Sequence, residues 1–260
     1  MAQKNAGKEI RKYLRTISDN MRGLKNSPET ESIHKMRVAV KKMRAIVRMA
    51  EVEDELKAKG IFKKMKKAYA AAGAIRDTEI YYEALNGYFN PGNIKTYYSG
   101  MAAGLHKKLV RSISVIDIDK FTHTALKVVP DKLGQMAIRK FIAREKKLID
   151  SKLEEQMSDN TLHDIRKHFK NILYSLPYLK VNKRNSALLQ RTKAVAKITT
   201  KLGDYVDTCM KLKHLNGELH GTHSRDYRAA LEKARIDWLL LKHRQKDKLT
   251  KKLSEGHILD

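Results

Sequence analysis

The chain has 260 residues, and its 55 lysine and arginine residues exceed its 29 acidic residues by a formal net charge of +26 at pH 7. Hydrophobic residues make up 42% of the sequence, which is enough for a core and excludes a disordered basic tail. One cysteine excludes a disulfide framework and a cysteine-based zinc site. The start lacks the apolar core of a signal peptide, and no apolar run approaches about 20 residues. We therefore expect a cytoplasmic protein that binds polyanions and no membrane.

The stretches between the four prolines and 13 glycines follow a helical period, and strand-like alternation is rare. The sequence therefore predicts an all-α protein. Its helices are predicted near residues 8–25, 31–51, 54–73, 75–88, 93–115, 132–157, 161–176, 184–203, 204–216 and 225–252. A connector near residues 116–131 separates the first five helices from the rest. Gly73 and Gly203 are predicted to end helices, so we expect Asp77 and Asp207 to cap the helices that follow.

An internal repeat relates the two halves of the chain. Residues 34–41 align with residues 163–170 at an offset of 129, and His, Arg and Lys recur at the same three places. Residues 73–77 align with residues 203–207 at an offset of 130. Three aligned stretches in the same order predict a duplicated helical unit. The third stretch is a pair of lysines in each half: Lys63 and Lys67, and Lys193 and Lys197.

A basic stripe lies on the second predicted helix, beside a seam of apolar residues. Positions spaced by three and four share one helix face. The residues with this spacing are His34, Arg37, Lys41, Arg44 and Arg48. Six cations and no acid lie between residues 34 and 48, although like charges on one face repel. An anion that fills this face explains the pattern, and a solvated face of snorkelling cations is the alternative.

A second stripe, in the other half, contains His163, Arg166 and Lys170. Thr161 is predicted to cap this helix with Asp164 as its third residue, which places His163 in the first turn. Backbone N–H groups and the helix dipole favour an anion there. Surrounding cations should lower the pKa of this histidine, and a bound phosphate should raise it. A structural role, metal ligation and phosphoryl acceptance are the alternatives for the two histidines.

The paired lysines at positions 63, 67, 193 and 197 lie on the helices that follow the two stripes. If each unit is a bundle, these helices flank the histidine helices. We then expect Lys63, Lys67, Lys193 and Lys197 to deepen a basic groove between the two units.

The first stripe resembles the opening motif of the CHAD family, the conserved-histidine α-helical domain. Its pattern His-x-x-Arg-Val-x-x-(Lys/Arg)-(Lys/Arg)-x-Arg is matched in full from His34 to Arg44. The family's Leu-Gly-x-x-Arg-Asp turn is similar to residues 72–77, and weaker second-half motifs fall at residues 163–174 and 202–207. The resemblance covers nearly the whole chain.

This resemblance implies one CHAD domain over residues 1–260, with repeats at about 8–115 and 132–252. The implied fold is two four-helix bundles related by a pseudo-twofold axis, with a basic central groove or pore. The implied activity is binding of inorganic polyphosphate without turnover or cofactor, often at polyphosphate granules. The implied ligand contacts are His34, Arg37, Lys41, Lys42, Arg44, His163, Arg166 and Lys170. Ile172 and Leu173 stand where the family often has a basic residue, so we expect the first unit to dominate an asymmetric site.

Nucleic acid is the second choice of ligand, because phosphate contacts would look the same. Aromatic residues form only 7% of the chain, and Phe62, Tyr69, Phe141 and Phe169 are expected in the core. The sequence contains no helix-turn-helix, zinc-finger or RNA-binding signature. Few aromatics among many cations favour polyphosphate over single-stranded nucleic acid.

An enzyme is the third class. Glu53, Glu55 and Lys57 spell the Glu-x-Glu-x-Lys signature of CYTH phosphatases, but that motif requires a strand and here lies among helices. No phosphate-cradling glycine loop or nucleophile elbow is present, so we expect no catalysis. A metal site is also conceivable near a loop, but a solvated polar loop is the favoured interpretation because the ligands have no defined spacing. Its residues would be His214, Glu218, His220, His223 and Asp226.

Overall fold

A computed structural model describes residues 4–27, 29–54, 62–89, 91–180, 186–221 and 223–255. Helices are the only regular elements within these ranges, which confirms the all-α prediction. The α-helices are α1 (Ala6–Asn26), α2 (Thr30–Asp54), α3 (Lys63–Leu85), α4 (Pro91–Ser114), α5 (Ile118–Val128), α6 (Gln135–Leu153), α7 (Asp159–Ser175), α8 (Ser186–Leu219) and α9 (Arg225–Ser254). A short 3₁₀ turn, Leu176–Tyr178, follows α7 and contains Pro177.

Two predicted helix breaks are wrong. Helix α3 continues through Gly73 and α8 continues through Gly203, so Asp77 and Asp207 lie inside helices and cap neither. A glycine in a helix interior costs only about 1 kcal/mol relative to alanine, and tertiary packing can offset that cost. Neither glycine is followed closely by a proline that would end the helix.

The predicted connector also contains a helix, α5, which the sequence analysis missed. Asp117 caps it by accepting a hydrogen bond from the backbone N–H of Lys120 at 2.9 Å. Phe121 and Ala125, four residues apart, bury one face of this short helix in the core. Helix α5 therefore packs against α1 and α2 of the first half of the chain.

The apolar seam of α2 is buried as predicted. Its residues are Ile33, Met36, Val40, Met43 and Val47, all between 0% and 2% exposed. In α7, Leu162, Ile165, Phe169 and Ile172 form the matching buried seam. These seams fix how both helices are rotated, because the basic stripe of each lies one position round from its apolar seam. The stripes are therefore held at the edge of the core.

Consecutive helices pack against each other from α1 to α4 and again from α6 to α9. Contacts also join the two halves, between α2 and both α6 and α7, and between α3 and α8. The pseudo-twofold pair of four-helix bundles stays a prediction. Within the described ranges, none of the helices combines the length and apolar character needed to cross a membrane.

Candidate functional site

A cavity of about 670 Å³ lies where α2 and α7 face each other, with further walls from α3 and α8. We call it the basic cavity, since eight cations line it against two carboxylates, Asp77 and Asp207. Both stripe histidines, His34 and His163, also line it. The eight cations are Arg37, Lys41, Arg44, Arg48, Arg76, Arg166, Lys167 and Lys170.

The basic cavity brings together most, but not all, of the residues predicted to bind an anion. The predicted residues that line it are His34, Arg37, Lys41, Arg44, Arg48, His163, Arg166 and Lys170. The predicted residues that do not line it are Lys42, Lys63, Lys67, Lys193 and Lys197. The roles of both groups of residues in binding stay predictions.

The lysines outside the basic cavity point elsewhere because of helix geometry. Lys42 lies one position beyond Lys41 and turns toward α1, where its Nζ is 5.8 Å from the centre of the Tyr13 ring. Lys63 and Lys67 are exposed, since α3 faces the basic cavity with other residues, among them Tyr69 and Arg76. Lys193 and Lys197 are likewise exposed on α8. These four lysines therefore do not line the basic cavity, and their contribution to binding stays a prediction.

Some cavity residues were missed or assigned elsewhere in the sequence analysis. Tyr69, expected in the core, is half-buried and lines the basic cavity with Arg76. These two residues are seven positions apart, so both lie on one face of α3 once that helix continues through Gly73. Had α3 been predicted as one helix, this spacing would have identified them.

Arg37 is held against α3 by a specific contact. Its Nη1 donates a hydrogen bond to the backbone carbonyl of Tyr69 at 2.9 Å, and its Cζ lies 4.6 Å from the centre of that ring. The guanidinium fits there only because residue 73 is glycine. A Cβ at that position would overlap Nη1 of Arg37 and lie 3.3 Å from its Cζ. Gly73 is therefore required for close approach of an arginine, not for ending a helix.

Arg166 occupies the matching position beside Gly203, with a looser fit. A Cβ at residue 203 would lie 3.5 Å from Nε of Arg166 and 3.6 Å from its Nη2, which is ordinary contact. The Nε of Arg166 is buried and has no hydrogen-bond acceptor within the described part of the chain. The two arginines that the repeat aligns are therefore held differently.

The remaining arginines of α2 are placed by aromatic rings and by α7. The Cζ of Arg44 lies 4.9 Å from the centre of the Tyr69 ring and 5.3 Å from that of Phe62. Arg48 reaches across the cavity, where its Nη1 is 3.5 Å from Oδ1 of Asn171 on α7. Arg48 therefore connects the two walls that carry the basic stripes.

A buried carboxylate fixes the orientation of α7. Glu145 of α6 is 3% exposed, and its Oε2 accepts a hydrogen bond from Nδ2 of Asn171 at 2.9 Å and pairs with Nδ1 of His168 at 2.7 Å. Asn171 thus contacts both Glu145 and Arg48. Glu145 therefore helps to fix the orientation of α7 through a residue that lines the basic cavity, although Glu145 itself does not line it.

Burial lowers the pKa values of two cavity lysines, Lys41 and Lys170, and repulsion among the cations lowers them further. Burial lowers the pKa of Lys41 to about 8, with further contributions from Lys170, Arg37 and Arg166. Burial also lowers the pKa of Lys170, and the nearby Arg166 lowers it further. Lys41 and Lys170 belong to different stripes, so their mutual repulsion is evidence that the two stripes face each other. A bound anion would relieve this repulsion.

His163 has a lowered pKa, in the direction that the sequence predicts. Burial is the larger cause and the charges of Lys167 and Arg166 add to it, whereas the sequence analysis attributed the shift to cations alone. The predicted cap is wrong, since Ser158 caps α7 by accepting from the N–H of Thr161 at 3.0 Å. His163 therefore lies in the second turn of α7. It is therefore farther than predicted from the N-terminus of the helix, where the dipole favours an anion.

The carboxylate of Asp77 lies on the α3 side of the basic cavity. Burial raises its pKa, while Arg37 and His214 oppose that change and Asp207 reinforces it. The two carboxylates therefore interact with each other and with the cations of both stripes. They reduce the positive potential at the wall formed by α3 and α8.

The polar residues at the end of α8 and in the loop that follows form hydrogen bonds with nearby protein groups. Glu218 accepts hydrogen bonds from the hydroxyl groups of Tyr81, at 2.5 Å, and Tyr227, and His223 Nε2 lies 2.7 Å from the Glu218 carbonyl oxygen. In the portion of the chain that the structure describes, no group of three His, Cys, Asp or Glu residues could hold a metal ion. The Glu-x-Glu-x-Lys stretch begins at Glu53 in α2, and its other two residues lie outside the described ranges.

Comparisons with known proteins agree with the resemblance in the sequence. The model of the CHAD domain matches residues 8–216 of this chain. The crystal structure of the CHAD domain from the plant Ricinus communis has a TM-score of 0.74 and 15% identity, and the match covers 97% of this chain and 93% of that chain. At this identity the likeness shows a shared fold. A search of curated protein sequences finds no match to this chain. Because the domain match spans most of the sequence, the chain belongs to the CHAD domain family.

Proposed function

We propose that this protein binds inorganic polyphosphate in the basic cavity and does not turn it over. The observation that supports this most directly is the lining of the cavity, whose described residues include eight cations and only two carboxylates. These side chains lie on packed helices, which hold them at fixed positions. A linear chain of phosphates carries about one charge per unit, so its receptor needs many cations at fixed positions and no pockets for bases. Membership of the CHAD family, which is associated with polyphosphate binding, supports the same ligand.

The partial burial of three cavity cations also supports a polyanionic ligand. Lys41, Lys170 and Arg44 are partly buried, and burial lowers the pKa of each. Burial of unpaired charge is unfavourable, so these side chains gain from an anion that replaces the lost hydration. A solvated face would leave the same side chains in water, where no such gain arises.

Single-stranded nucleic acid is a poorer fit to this cavity. Sequence-tolerant binding of single strands uses exposed aromatic rings on which bases stack. The aromatic residues that line the basic cavity are Tyr69 and Tyr174, and the Tyr69 ring already contacts the guanidinium groups of Arg37 and Arg44. Tyr174 is largely buried, which raises the pKa of its hydroxyl group. Phosphate contacts without base stacking therefore favour polyphosphate.

The lack of turnover is part of the proposal. The lining residues supply charge, and among the described residues of the lining none is a serine, threonine or cysteine. The same binding would hold the protein on cytoplasmic polyphosphate granules in cells that form them.

Competition between two polyanions tests the proposal. Long-chain sodium polyphosphate and single-stranded RNA of matched charge would be titrated at about 0.2 M salt, and we expect tighter binding of polyphosphate. Six net positive charges in the basic cavity predict a slope of about −4 to −5 in a plot of log affinity against log salt, by analogy with nucleic acids. Equal or tighter binding of RNA would favour a nucleic-acid-binding protein instead.

A pair of charge-matched variants tests the location of the site. Lys41→Glu with Lys170→Glu reverses two cavity charges, and Lys107→Glu with Lys108→Glu reverses two exposed charges of α4. We expect the cavity variant to lose far more affinity for polyphosphate than the α4 variant. Equal losses would mean that affinity comes from overall charge, and the basic cavity would not be the site.

A further inference from the structure

The two arginines aligned by the internal repeat differ in how much of their bonding capacity is already used. Arg37 donates to the carbonyl oxygen of Tyr69 at 2.9 Å and lies over that ring. Nη1 has a second N–H group, but the guanidinium cannot turn toward a ligand without breaking this charge-assisted hydrogen bond. Part of the hydrogen-bonding capacity of Arg37 is therefore already used within the protein.

The second half of the chain lacks the residues that would hold Arg166 in the same way. At the offset of 130, the counterpart of Tyr69 is Thr199, which has no ring for a guanidinium to cover. The hydroxyl group of Thr199 instead donates to the carbonyl oxygen of Val195 at 2.6 Å, and the residue is 4% exposed. Among the described residues, the ring contact that helps to fix Arg37 has no equivalent around Arg166.

Arg166 is also incompletely satisfied. Its Nε is buried without an acceptor among the described residues, and a buried donor that lacks a partner is unfavourable. Its side chain lines the basic cavity opposite Lys41, and its charge lowers the pKa of Lys41 and of Lys170. A reorientation of this guanidinium toward a phosphate breaks no hydrogen bond to the described protein and removes an unfavourable arrangement.

We propose that, of the two arginines aligned by the repeat, Arg166 contacts phosphate in the basic cavity and Arg37 is a positioning residue that fixes α2 against α3. This inference rests on the proposed function. For this aligned pair it differs from the expectation that the first unit dominates the site. The same side chain at aligned positions would thus serve binding in one half and packing in the other.

Two variants that remove the same charge test this division. Arg166→Gln and Arg37→Gln each lower the charge of the basic cavity by one, so their long-range effects on binding are matched. Titration calorimetry with long-chain sodium polyphosphate should show a loss of about tenfold or more for Arg166→Gln and about threefold or less for Arg37→Gln. Thermal unfolding should show the opposite order, with the larger fall in Tm for Arg37→Gln.

An affinity loss for Arg37→Gln that equals or exceeds the loss for Arg166→Gln would overturn the inference. If Arg37→Gln does not fold, Arg37→Lys and Arg166→Lys replace the pair, because lysine keeps the charge and loses the planar fork. The lysine variants should then show the same order of affinity losses, and the reverse order would again overturn the inference. A wild-type protein that does not bind polyphosphate would refute the proposed function itself, and this result is distinct from an altered order among the variants.

Discussion

Replacement of Gly73 by alanine should destabilise the protein, although the same change inside most helices is stabilising. Alanine is favoured over glycine in a helix interior by about 1 kcal/mol. At position 73 the new methyl group would overlap Nη1 of Arg37, so the guanidinium must move away from the carbonyl oxygen of Tyr69. A hydrogen bond from a charged group contributes about 1.5–3 kcal/mol. The expected net loss is about 0.5–2 kcal/mol.

Gly203→Ala is the matched control, because position 203 lies in α8 at the aligned place. Its Cβ would lie 3.5 Å from Nε of Arg166, which needs no movement of either helix. This variant should therefore gain up to about 1 kcal/mol from helix propensity alone. The two substitutions are chemically identical, and we expect them to change the free energy of unfolding in opposite directions.

Urea unfolding followed by circular dichroism measures both changes against the wild type. For a protein of this length, each 1 kcal/mol corresponds to roughly 2–4 °C in Tm, so thermal scans give an independent check. Stabilisation of similar size by both alanines would refute the reasoning. It would mean that Arg37 leaves Tyr69 at no cost and that Gly73 is not retained for close approach.

Three further predictions concern the ligand. Burial and the charges of Lys167 and Arg166 lower the pKa of His163, so this group is largely neutral at pH 7 without ligand and gains a proton when phosphate raises its pKa. Affinity for polyphosphate should therefore fall as pH rises from 6 to 7, below the pKa of about 8 to which burial lowers Lys41. At pH 6.5, calorimetry in buffers of different ionisation enthalpy should detect proton uptake that His163→Gln reduces. Asp77→Asn removes a negative charge from the cavity wall and should tighten binding of polyphosphate by about threefold or more in a fluorescence titration. Weaker binding would mean that Asp77 is needed to position Arg37 or Lys41. Lys63→Gln with Lys67→Gln removes two exposed charges outside the basic cavity and should change affinity by less than about threefold at 0.15 M salt. A larger loss of affinity would mean that these lysines contribute to the binding site.

The sequence was most informative where periodicity alone decides the structure. The buried seam of α2 and the stripe beside it follow from spacings of three and four, and all of the five stripe residues from His34 to Arg48 line the basic cavity. The internal repeat correctly paired this stripe with the one on α7. These features depend on local geometry, which the order of residues determines directly.

The failures share a physical cause, which is that tertiary contacts overrode local preferences. Gly73 is a helix-ending residue by propensity, but its missing Cβ accommodates Arg37 from another helix. Lys63 and Lys67 match the repeat, yet they lie on the exposed side of α3 because Tyr69 and Arg76 occupy the side toward the basic cavity. The spacing of the two lysines does not determine which side of α3 faces the basic cavity, because that depends on how α3 packs.

The buried carboxylate of Glu145 has a consequence for how a strongly cationic protein can distribute its acids. It holds His168 and Asn171 of α7 and does not itself line the basic cavity, which Asn171 does. A carboxylate in this place offsets positive charge without competing for the cations that line the cavity. Moving that single acid onto the stripe of α7 would give a self-inhibited receptor with the same net charge.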